Sequence, residues 1–184
     1  MSVVRDAFAA LGVERRPWLD DEVVREAYHA RVKTDHPDVA GAEGDDFAEI
    51  NAAYATLRSP AKRLRHWLEQ EGVPMGQFFP DAATMVFFSE IAGALQRWRE
   101  LRETAERAEG RVAAAMARSI WMKEKPALER LGLAISEREA AAVCEVREWD
   151  VASDDVKTLA VLAGEMAFLS RWKVTIDAAL AESL

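Results

Sequence analysis

Apolar residues recur at helical spacing along most of the chain, and Gly, Pro and Asp interrupt this pattern. Near the start, Ala7, Phe8 and Leu11 predict a short helix that ends at Gly12. Asp20 stands where the N-cap of a second helix is expected, and the apolar positions of that helix are Val24, Ala27, Tyr28 and Val32. The second helix therefore has one face that packs and one face that carries its charges.

The tripeptide His36-Pro37-Asp38 follows the second helix. Pro37 fixes its own φ, lacks an N–H and pushes His36 toward an extended conformation, so the helix should end near Thr34. The resulting stiff turn presents an imidazole and a carboxylate outward at little entropic cost, which suits docking against another protein. The alternative is an ordinary turn without a function, because Asp and Pro are common turn formers.

Two further helices follow the tripeptide. The third is predicted by apolar residues at helical spacing, which are Phe47, Ile50, Tyr54 and Leu57. Ser59 and Pro60 match the N-cap and the first residue of a basic fourth helix that ends at Gly72. Four helices and a central loop are therefore complete by residue 72.

One string of residues makes this part of the chain specific. The string Phe47-x-x-Ile50-Asn51-x-Ala53-Tyr54-x-x-Leu57-x-x-Pro60-x-x-Arg63 resembles the signature of the third and fourth helices of DnaJ proteins. The long span from Val13 to Asp35, with Trp18 before Leu19-Asp20, is similar to that of HscB, the iron–sulfur-cluster co-chaperone. The resemblance thus implies an N-terminal J-domain.

The resemblance also implies a function, that of a co-chaperone that docks on a DnaK-type or HscA-type ATPase and accelerates its ATP hydrolysis. His36, Pro37 and Asp38 match the coupling loop of the family, and Asp38 is the candidate for pairing with an arginine of the ATPase. Basic residues would supply electrostatic attraction, for which the candidates are Arg25, Arg31 and Lys33, with Lys62 and Arg63 in addition. For each of them the alternative is a solvated helix face.

Three positions depart from the family pattern. Asp35, Arg31 and Val39 stand where tyrosine, leucine and a basic residue are usual. Asp35 adds a negative charge beside the docking loop, which would weaken attraction to an acidic partner surface. These departures favour a second hypothesis, a binding or scaffolding protein whose J-like domain no longer couples to an ATPase.

A third hypothesis is an enzyme that uses His36 and Asp38 as acid and base. Acid–base catalysis needs a cleft and a positioned substrate, and a stiff loop between two short helices predicts neither. We therefore expect that the chain is not an enzyme.

The chain beyond Gly72 predicts a second helical region. Residues 73–80 are rich in turn formers and aromatic residues and indicate a linker. Helices are expected at about 81–107, 110–131, 136–149 and 153–181, where Gly132 would end one helix, Ser136 with Glu139 would form a capping box, and Pro126 would kink or split a helix. The sequence thus predicts an all-α protein, with a J-domain over 1–72, a linker over 73–80 and an antiparallel bundle over 81–184.

An HscB-like bundle implies a client, an IscU-like scaffold protein for cluster assembly. The first bundle helix carries the candidate client-binding residues Met85, Phe87, Phe88 and Ile91. The alternative is that this dense apolar row belongs to the core of the bundle.

Composition and charge narrow the function classes. The 184 residues carry a formal net charge of -8, which opposes nucleic-acid binding. One cysteine, Cys144, cannot form a disulfide within the chain and is expected to be a small buried residue. The three histidines lack ligand-spaced partners, so neither a metal site nor a cofactor is expected. Without a signal peptide or a long apolar run, we expect a cytoplasmic protein that does not bind a membrane.

Overall fold

The computed structural model describes residues 6–34, 44–74, 80–149 and 155–182. These residues form eight α-helices and no β-strand, which confirms the all-α prediction. None of these helices is long and apolar enough to cross a membrane. In chain order they are α1 (Ala7–Leu11), α2 (Asp21–Thr34), α3 (Gly44–Leu57), α4 (Pro60–Gln70), α5 (Ala82–Arg107), α6 (Arg111–Met122), α7 (Lys125–Glu148) and α8 (Val156–Ala181).

The chain divides into two compact units, and each is built from two segments. Unit 1 comprises Met1–Gln77 and Ala142–Ala167, and unit 2 comprises Phe78–Ala141 and Phe168–Leu184. Helices α7 and α8 therefore contribute residues to both units. The domain boundaries that the sequence predicts, at 72 and 80, follow chain order and stay a prediction, whereas the packing units are discontinuous in sequence.

The core of unit 1 joins the four N-terminal helices to the second segment of the unit. Phe8, Leu57 and Leu64 are almost completely buried in one apolar cluster, and the second segment contributes Ala142, Val146, Leu159, Leu162, Ala163 and Met166 to it. At the edge of this cluster the rings of Trp67 and Trp149 meet edge to face, with centroids 5.8 Å apart. The N-terminal helices thus bury apolar surface against residues that follow them by more than seventy positions.

The helix ends in unit 1 follow the local sequence. The Asp6 carboxylate accepts a hydrogen bond from the Phe8 N–H, at 2.9 Å, and caps α1. Gly12 ends α1 with a φ of +70°, which suits glycine. Asp20 accepts from the Glu22 N–H at 2.9 Å, which confirms its predicted capping role. Pro60 is the first residue of α4, as predicted.

Unit 2 contains α5, α6 and the adjoining parts of α7 and α8. The rings of Trp98 on α5 and Trp121 on α6 are 4.9 Å apart, whereas Phe87, earlier on α5, contacts Arg138 on α7. Arg97, later on α5, lies 3.6 Å from Glu124 just before α7, whereas Phe87 contacts Arg138 farther along α7, so α5 runs antiparallel to α7. Fully buried side chains fill the space between the helices, among them Ile91, Leu95, Trp98, Leu128, Ile135, Leu169 and Ile176.

Helix α7 is longer than the sequence predicts. It runs without interruption through Gly132 and Ser136, so the predicted stop and the predicted capping box are both wrong. The Ser136 hydroxyl donates to the Gly132 carbonyl within the helix, at 3.0 Å, and accepts from Lys173 Nζ on α8, at 2.6 Å. The helix break lies instead at residues 123–124, and Pro126 lies in the first turn of α7. N–H groups in the first turn have no intrahelical acceptor, so the missing N–H of Pro126 costs no hydrogen bond.

Cys144 is exposed, so the expectation of a buried thiol is wrong. On the same helix Ala142 and Val146 are buried in the unit 1 core. Residues four apart share a helix face, and the residue midway between them points away from it. Apolar neighbours in the sequence therefore did not predict which face of the helix Cys144 occupies.

Candidate protein-docking site

Helix α2 and the residues that follow it are the candidate site. Asp21 and Glu22 occupy the first turn of α2, and Arg31 and Lys33 occupy its last turn. This charge order complements the helix dipole, which is positive at the N-terminus and negative at the C-terminus. The tripeptide His36-Pro37-Asp38, together with Asp35 and Val39, lies outside the described residues, in the nine positions between α2 and α3.

The three basic residues that the sequence assigns to partner binding all lie on α2 and are exposed. Arg25 is ion-paired with Glu22 one turn earlier, and Lys33 shares its outward side of the helix. Arg31 follows Ala27 by four residues and Tyr28 by three, so it continues the row that packs inward, yet its own side chain is exposed.

A polar and aromatic contact joins α2 to α3. The Tyr28 hydroxyl donates to Asn51 Oδ1 at 2.9 Å, and Asn51 Nδ2 donates to the Phe47 carbonyl at 2.9 Å. The rings of Tyr28 and Tyr54 are stacked with centroids 4.2 Å apart. The sequence identified Asn51 and Tyr54 only as parts of a signature, and their contacts show that they hold α2 against α3.

Arg63 is a buried residue, which corrects the sequence prediction that it supplies surface charge. Its side chain is 2% exposed, and Nη1 donates to the Leu57 carbonyl at the end of α3, at 2.9 Å. The same nitrogen lies 3.5 Å from Asp21 Oδ1 at the start of α2. Burial lowers the pKa of the Arg63 guanidinium, while the charge of Asp21 and its hydrogen bond oppose that shift. Arg63 thus joins α2, α3 and α4, whereas Lys62 beside it is exposed.

His66 has a structural role at the other end of the four helices. Its Nε2 accepts a hydrogen bond from the Ala7 N–H at 3.0 Å, and its ring stacks on Phe8. Asp6, which caps the same helix, is also the partner of Arg15. Burial would raise the pKa of Asp6, but the hydrogen bonds from Arg15, Ala9 and Phe8 outweigh it and hold that pKa below its usual value. His66 therefore secures α4 to the start of α1.

Comparison with known proteins decides the family. The DnaJ domain model matches residues 6–66, which include the tripeptide. The HscB co-chaperone homolog of Aromatoleum aromaticum is 30% identical over 152 residues, which cover 77% of this chain and 84% of that protein. The chain belongs to the HscB co-chaperone family. The resemblance of the N-terminal residues to DnaJ and HscB proteins is thereby confirmed, and the family is one of co-chaperones rather than catalysts.

The likeness to the HscB fold extends over nearly the whole chain. The chaperone HscB from Vibrio cholerae superposes on this structure with a TM-score of 0.61. The superposition covers 97% of this chain and 99% of the Vibrio cholerae chain. Its sequence identity is 20%, so this likeness concerns the fold alone. The curved DNA-binding protein of Pseudomonas syringae pv. tomato is 34% identical over 110 residues, and the match spans 48% of this chain but only 34% of that relative. The likeness to that protein thus concerns about a third of its length.

The four residues that the HscB resemblance assigns to client binding have different environments in unit 2. Ile91 is fully buried, and Phe88 is nearly so and stacks on Phe168, with ring centroids 5.5 Å apart. Phe87 is half-buried beneath the Arg138 guanidinium. Met85, in contrast, is 55% exposed, and its neighbour Val86 is 61% exposed. A helical period alone could not separate Met85 and Val86 from the buried residues, because the apolar run has no polar break.

No three His, Cys, Asp or Glu side chains in the described ranges lie close enough together to hold a metal ion. His29 is exposed on α2, His66 is buried beside Phe8, and His36 lies outside those ranges. The described histidines therefore have distinct environments that share no ligand set.

Proposed function

We propose that this HscB-family protein docks through its J-domain on a DnaK-type or HscA-type ATPase in the cytoplasm and accelerates ATP hydrolysis there. The observation that carries the proposal is membership of the co-chaperone family together with a DnaJ-domain match that includes His36-Pro37-Asp38. The chemistry belongs to the partner, so no catalytic residue is assigned to this chain. Asp38 is the proposed partner of an arginine on the ATPase.

The charge of α2 supports this proposal. Arg31 and Lys33 are exposed in the turn that directly precedes the tripeptide segment, and Arg25 is exposed two turns earlier. Such cations accelerate encounter with an acidic partner surface and lose their effect as salt screens them. We therefore propose that these three residues steer the approach and that the tripeptide performs the coupling.

Single-turnover ATP hydrolysis by an HscA-type and by a DnaK-type chaperone tests the proposal. The wild-type protein should increase the rate, and the His36→Gln variant should lose that increase. His29→Gln is the matched control, because His29 is an exposed histidine on α2 that the proposal does not use. Stimulation that survives in the His36→Gln variant would contradict the coupling role of the tripeptide.

The departures from the family pattern favour a second candidate function. Asp35, Arg31 and Val39 replace a usual tyrosine, leucine and basic residue around the tripeptide. If neither ATPase responds to the wild-type protein, the chain acts instead as a binding or scaffolding protein with an uncoupled J-like domain. A variant with Asp35→Tyr, Arg31→Leu and Val39→Lys would then be expected to gain stimulation.

We also propose that unit 2 binds an IscU-like scaffold for iron–sulfur clusters through the start of α5. Two adjacent aliphatic side chains, Met85 and Val86, are exposed there, and exposed aliphatic side chains are where a protein partner gains apolar burial. Of the other predicted residues, Phe87 can contribute its exposed part. Phe88 and Ile91 would affect binding only indirectly, through folding.

Calorimetric titration of the scaffold tests the client proposal. We expect Met85→Ser to weaken binding at least about tenfold if this side chain is a central contact. Val174→Ser is the control, since Val174 is an aliphatic residue of the same unit that is 67% exposed. If the scaffold binds the two variants with equal affinity, its binding site lies elsewhere on the protein.

A further inference from the structure

Helix α6 exposes a row of aliphatic side chains. Val112, Met116 and Ile120 are 75%, 63% and 51% exposed, and their spacing of four residues aligns them along one side of the helix. Trp121 is the one buried residue of α6. We call Val112, Met116 and Ile120 the aliphatic row.

Helix α6 is also basic within an acidic protein. Its sequence contains Arg111 and Arg118 but no Asp or Glu, although the chain has a net charge of -8. Both arginines are exposed, and neither has an ion pair within the described part of the chain, whereas Arg102 on the neighbouring helix is paired with Glu106 and Glu182. The two arginines lie two turns apart on one side of α6, and we call them the basic row.

The two rows flank small side chains. Ala115 and Ser119 are exposed and lie one turn apart, and at 100° per residue they fall between the aliphatic row and the basic row. A row of small residues between two ridges of larger ones is the shape that accepts the ridge of another helix. The surface is therefore apolar on one flank and low in the middle. On the other flank Arg111 and Arg118 line a cavity together with Arg102, Glu106 and Glu182, so the arginines there outnumber the carboxylates.

We propose that this side of α6 docks an amphipathic helix of a partner protein that carries aliphatic and acidic side chains. Its aliphatic residues would cover the aliphatic row, and its carboxylates would pair with Arg111 and Arg118. This surface is separate in sequence from the start of α5, so the proposal does not depend on the proposed ATPase or scaffold partners.

Charge argues for an acidic protein helix over two other occupants. A second copy of this chain, docked through the same α6 surface, would bring its own basic row into the contact, and like charges would repel. An anionic bilayer would attract α6 but repel the rest of a chain with a net charge of -8. A partner helix with carboxylates on one flank pairs with the basic row, and because it is small it brings fewer negative charges close to the rest of the chain than a bilayer would.

The expected affinity is modest. Twelve residues of α-helix are about 18 Å long, so one partner helix contacts a small area. Interfaces at the low end of the size range are weak, and we expect a Kd of about 10–100 µM.

Fluorescence anisotropy with defined peptides tests the proposal. The probe is a labelled synthetic helix of about 14 residues, long enough to follow α6, with leucines at helical spacing and glutamates on one flank. The comparison peptide has the same leucines and has lysines in place of the glutamates. The full chain should bind the glutamate peptide, and the lysine peptide should bind at least about tenfold more weakly.

Variants assign the binding to the two rows. V112S/M116S and R111E/R118E should each weaken glutamate-peptide binding at least about tenfold. R130E/K157E reverses the same number of charges at exposed positions outside α6 and should leave binding unchanged. Circular dichroism of each variant verifies that the helices are intact.

Several results would overturn the proposal. One is a failure of the wild-type chain to bind the glutamate peptide, and another is equal binding of the two peptides. A third is equal weakening by R130E/K157E and R111E/R118E. If sedimentation shows concentration-dependent dimers and M116S abolishes them, the aliphatic row binds a second copy of the chain. If phosphatidylglycerol vesicles bind through α6 and the glutamate peptide does not, the surface binds a membrane.

Discussion

A single buried guanidinium joins three helices of unit 1. Arg63 lies on α4, donates to the last carbonyl of α3 and faces Asp21 at the start of α2. A buried charge is stabilised by pairing and hydrogen bonding, and Arg63 Nη1 finds both in these two acceptors, whereas Nε is buried without a hydrogen-bond partner in the described part of the chain. Its place in the family signature therefore has a structural reason that concerns folding.

We expect Arg63→Ala to lower the free energy of unfolding by about 2–4 kcal/mol, because the variant leaves a cavity and an unpaired Leu57 carbonyl. Urea unfolding followed by circular dichroism measures this loss. Arg65→Ala is the control: Arg65 is exposed and pairs only with Glu69, so the loss should be below about 0.5 kcal/mol. Similar losses for both variants would refute a joining role for Arg63.

Glu139 on α7 makes the stability of unit 2 depend on pH. Its partial burial raises the pKa of Glu139, and Asp177 adds to this shift, while Lys173 opposes it. Since the pKa is higher in the folded protein than in the unfolded one, this residue favours folding when protonated. That contribution is lost as the pH rises from the ordinary value of 4.5 through the raised pKa.

Glu139→Gln should therefore increase the free energy of unfolding at pH 7. The increase should vanish well below pH 4.5, where Glu139 is protonated in both the folded and unfolded states. Urea titrations at both pH values measure the difference. Glu137→Gln, at an exposed position on the same helix, should change neither value, and a destabilised Glu139→Gln protein at pH 7 would reverse the assigned sign.

Among the helices, α7 shows how tertiary packing overrides a local stop signal. Gly132 disfavours a helix interior by about 1 kcal/mol relative to alanine. Leu128 and Ile135 on either side of it are fully buried, and burying each large aliphatic side chain contributes about 1.5–3 kcal/mol. The helix continues through Gly132 because this burial outweighs the local preference.

Gly132→Ala should raise the free energy of unfolding by about 0.5–1 kcal/mol. The added Cβ would lie 3.5 Å from Ile176 Cγ2, an ordinary van der Waals contact. Gly12→Ala should have the opposite effect and cost about 1 kcal/mol, because Gly12 has a φ of +70°. Thermal unfolding of both variants measures these changes, and a destabilised Gly132→Ala protein would mean that the contact with Ile176 is too tight.

At the scale of the whole molecule, unit 1 is made of two distant chain segments. Residues 142–167 complete the core around Leu64 and Leu68 and bring Arg147 over the ring of Trp18, at 5.0 Å. The J-domain residues alone would expose the apolar surface that this segment covers. The compact unit therefore exceeds the J-domain of the sequence prediction.

A fragment of residues 1–77 should consequently unfold at least about 5 °C below the same residues in the full chain. Hydrogen exchange of α3 and α4 amides in both proteins reports the difference directly. Leu159→Ala in the full chain should reproduce part of the loss, because Leu159 is buried in the same core. Equal protection in fragment and full chain would show that the second segment adds no stability.

The sequence by itself determined the helices, most of their ends and the family. Gly12, Asp20 and Pro60 set helix ends through bonds and dihedral angles within a few residues, so local patterns were sufficient. For the candidate site, the sequence placed Arg25 and Lys33 on the free side of α2. The tripeptide is likewise a sequence observation, since it lies outside the described residues.

Only the tertiary structure decided which apolar and charged residues are buried. It placed Arg63 inside, left Cys144 and Met85 exposed, and joined Tyr28 to Asn51 across two helices. It also carried α7 through Gly132 and assembled unit 1 from two segments. Burial depends on contacts between residues far apart in the chain, whereas helical periodicity reports only which residues share a face.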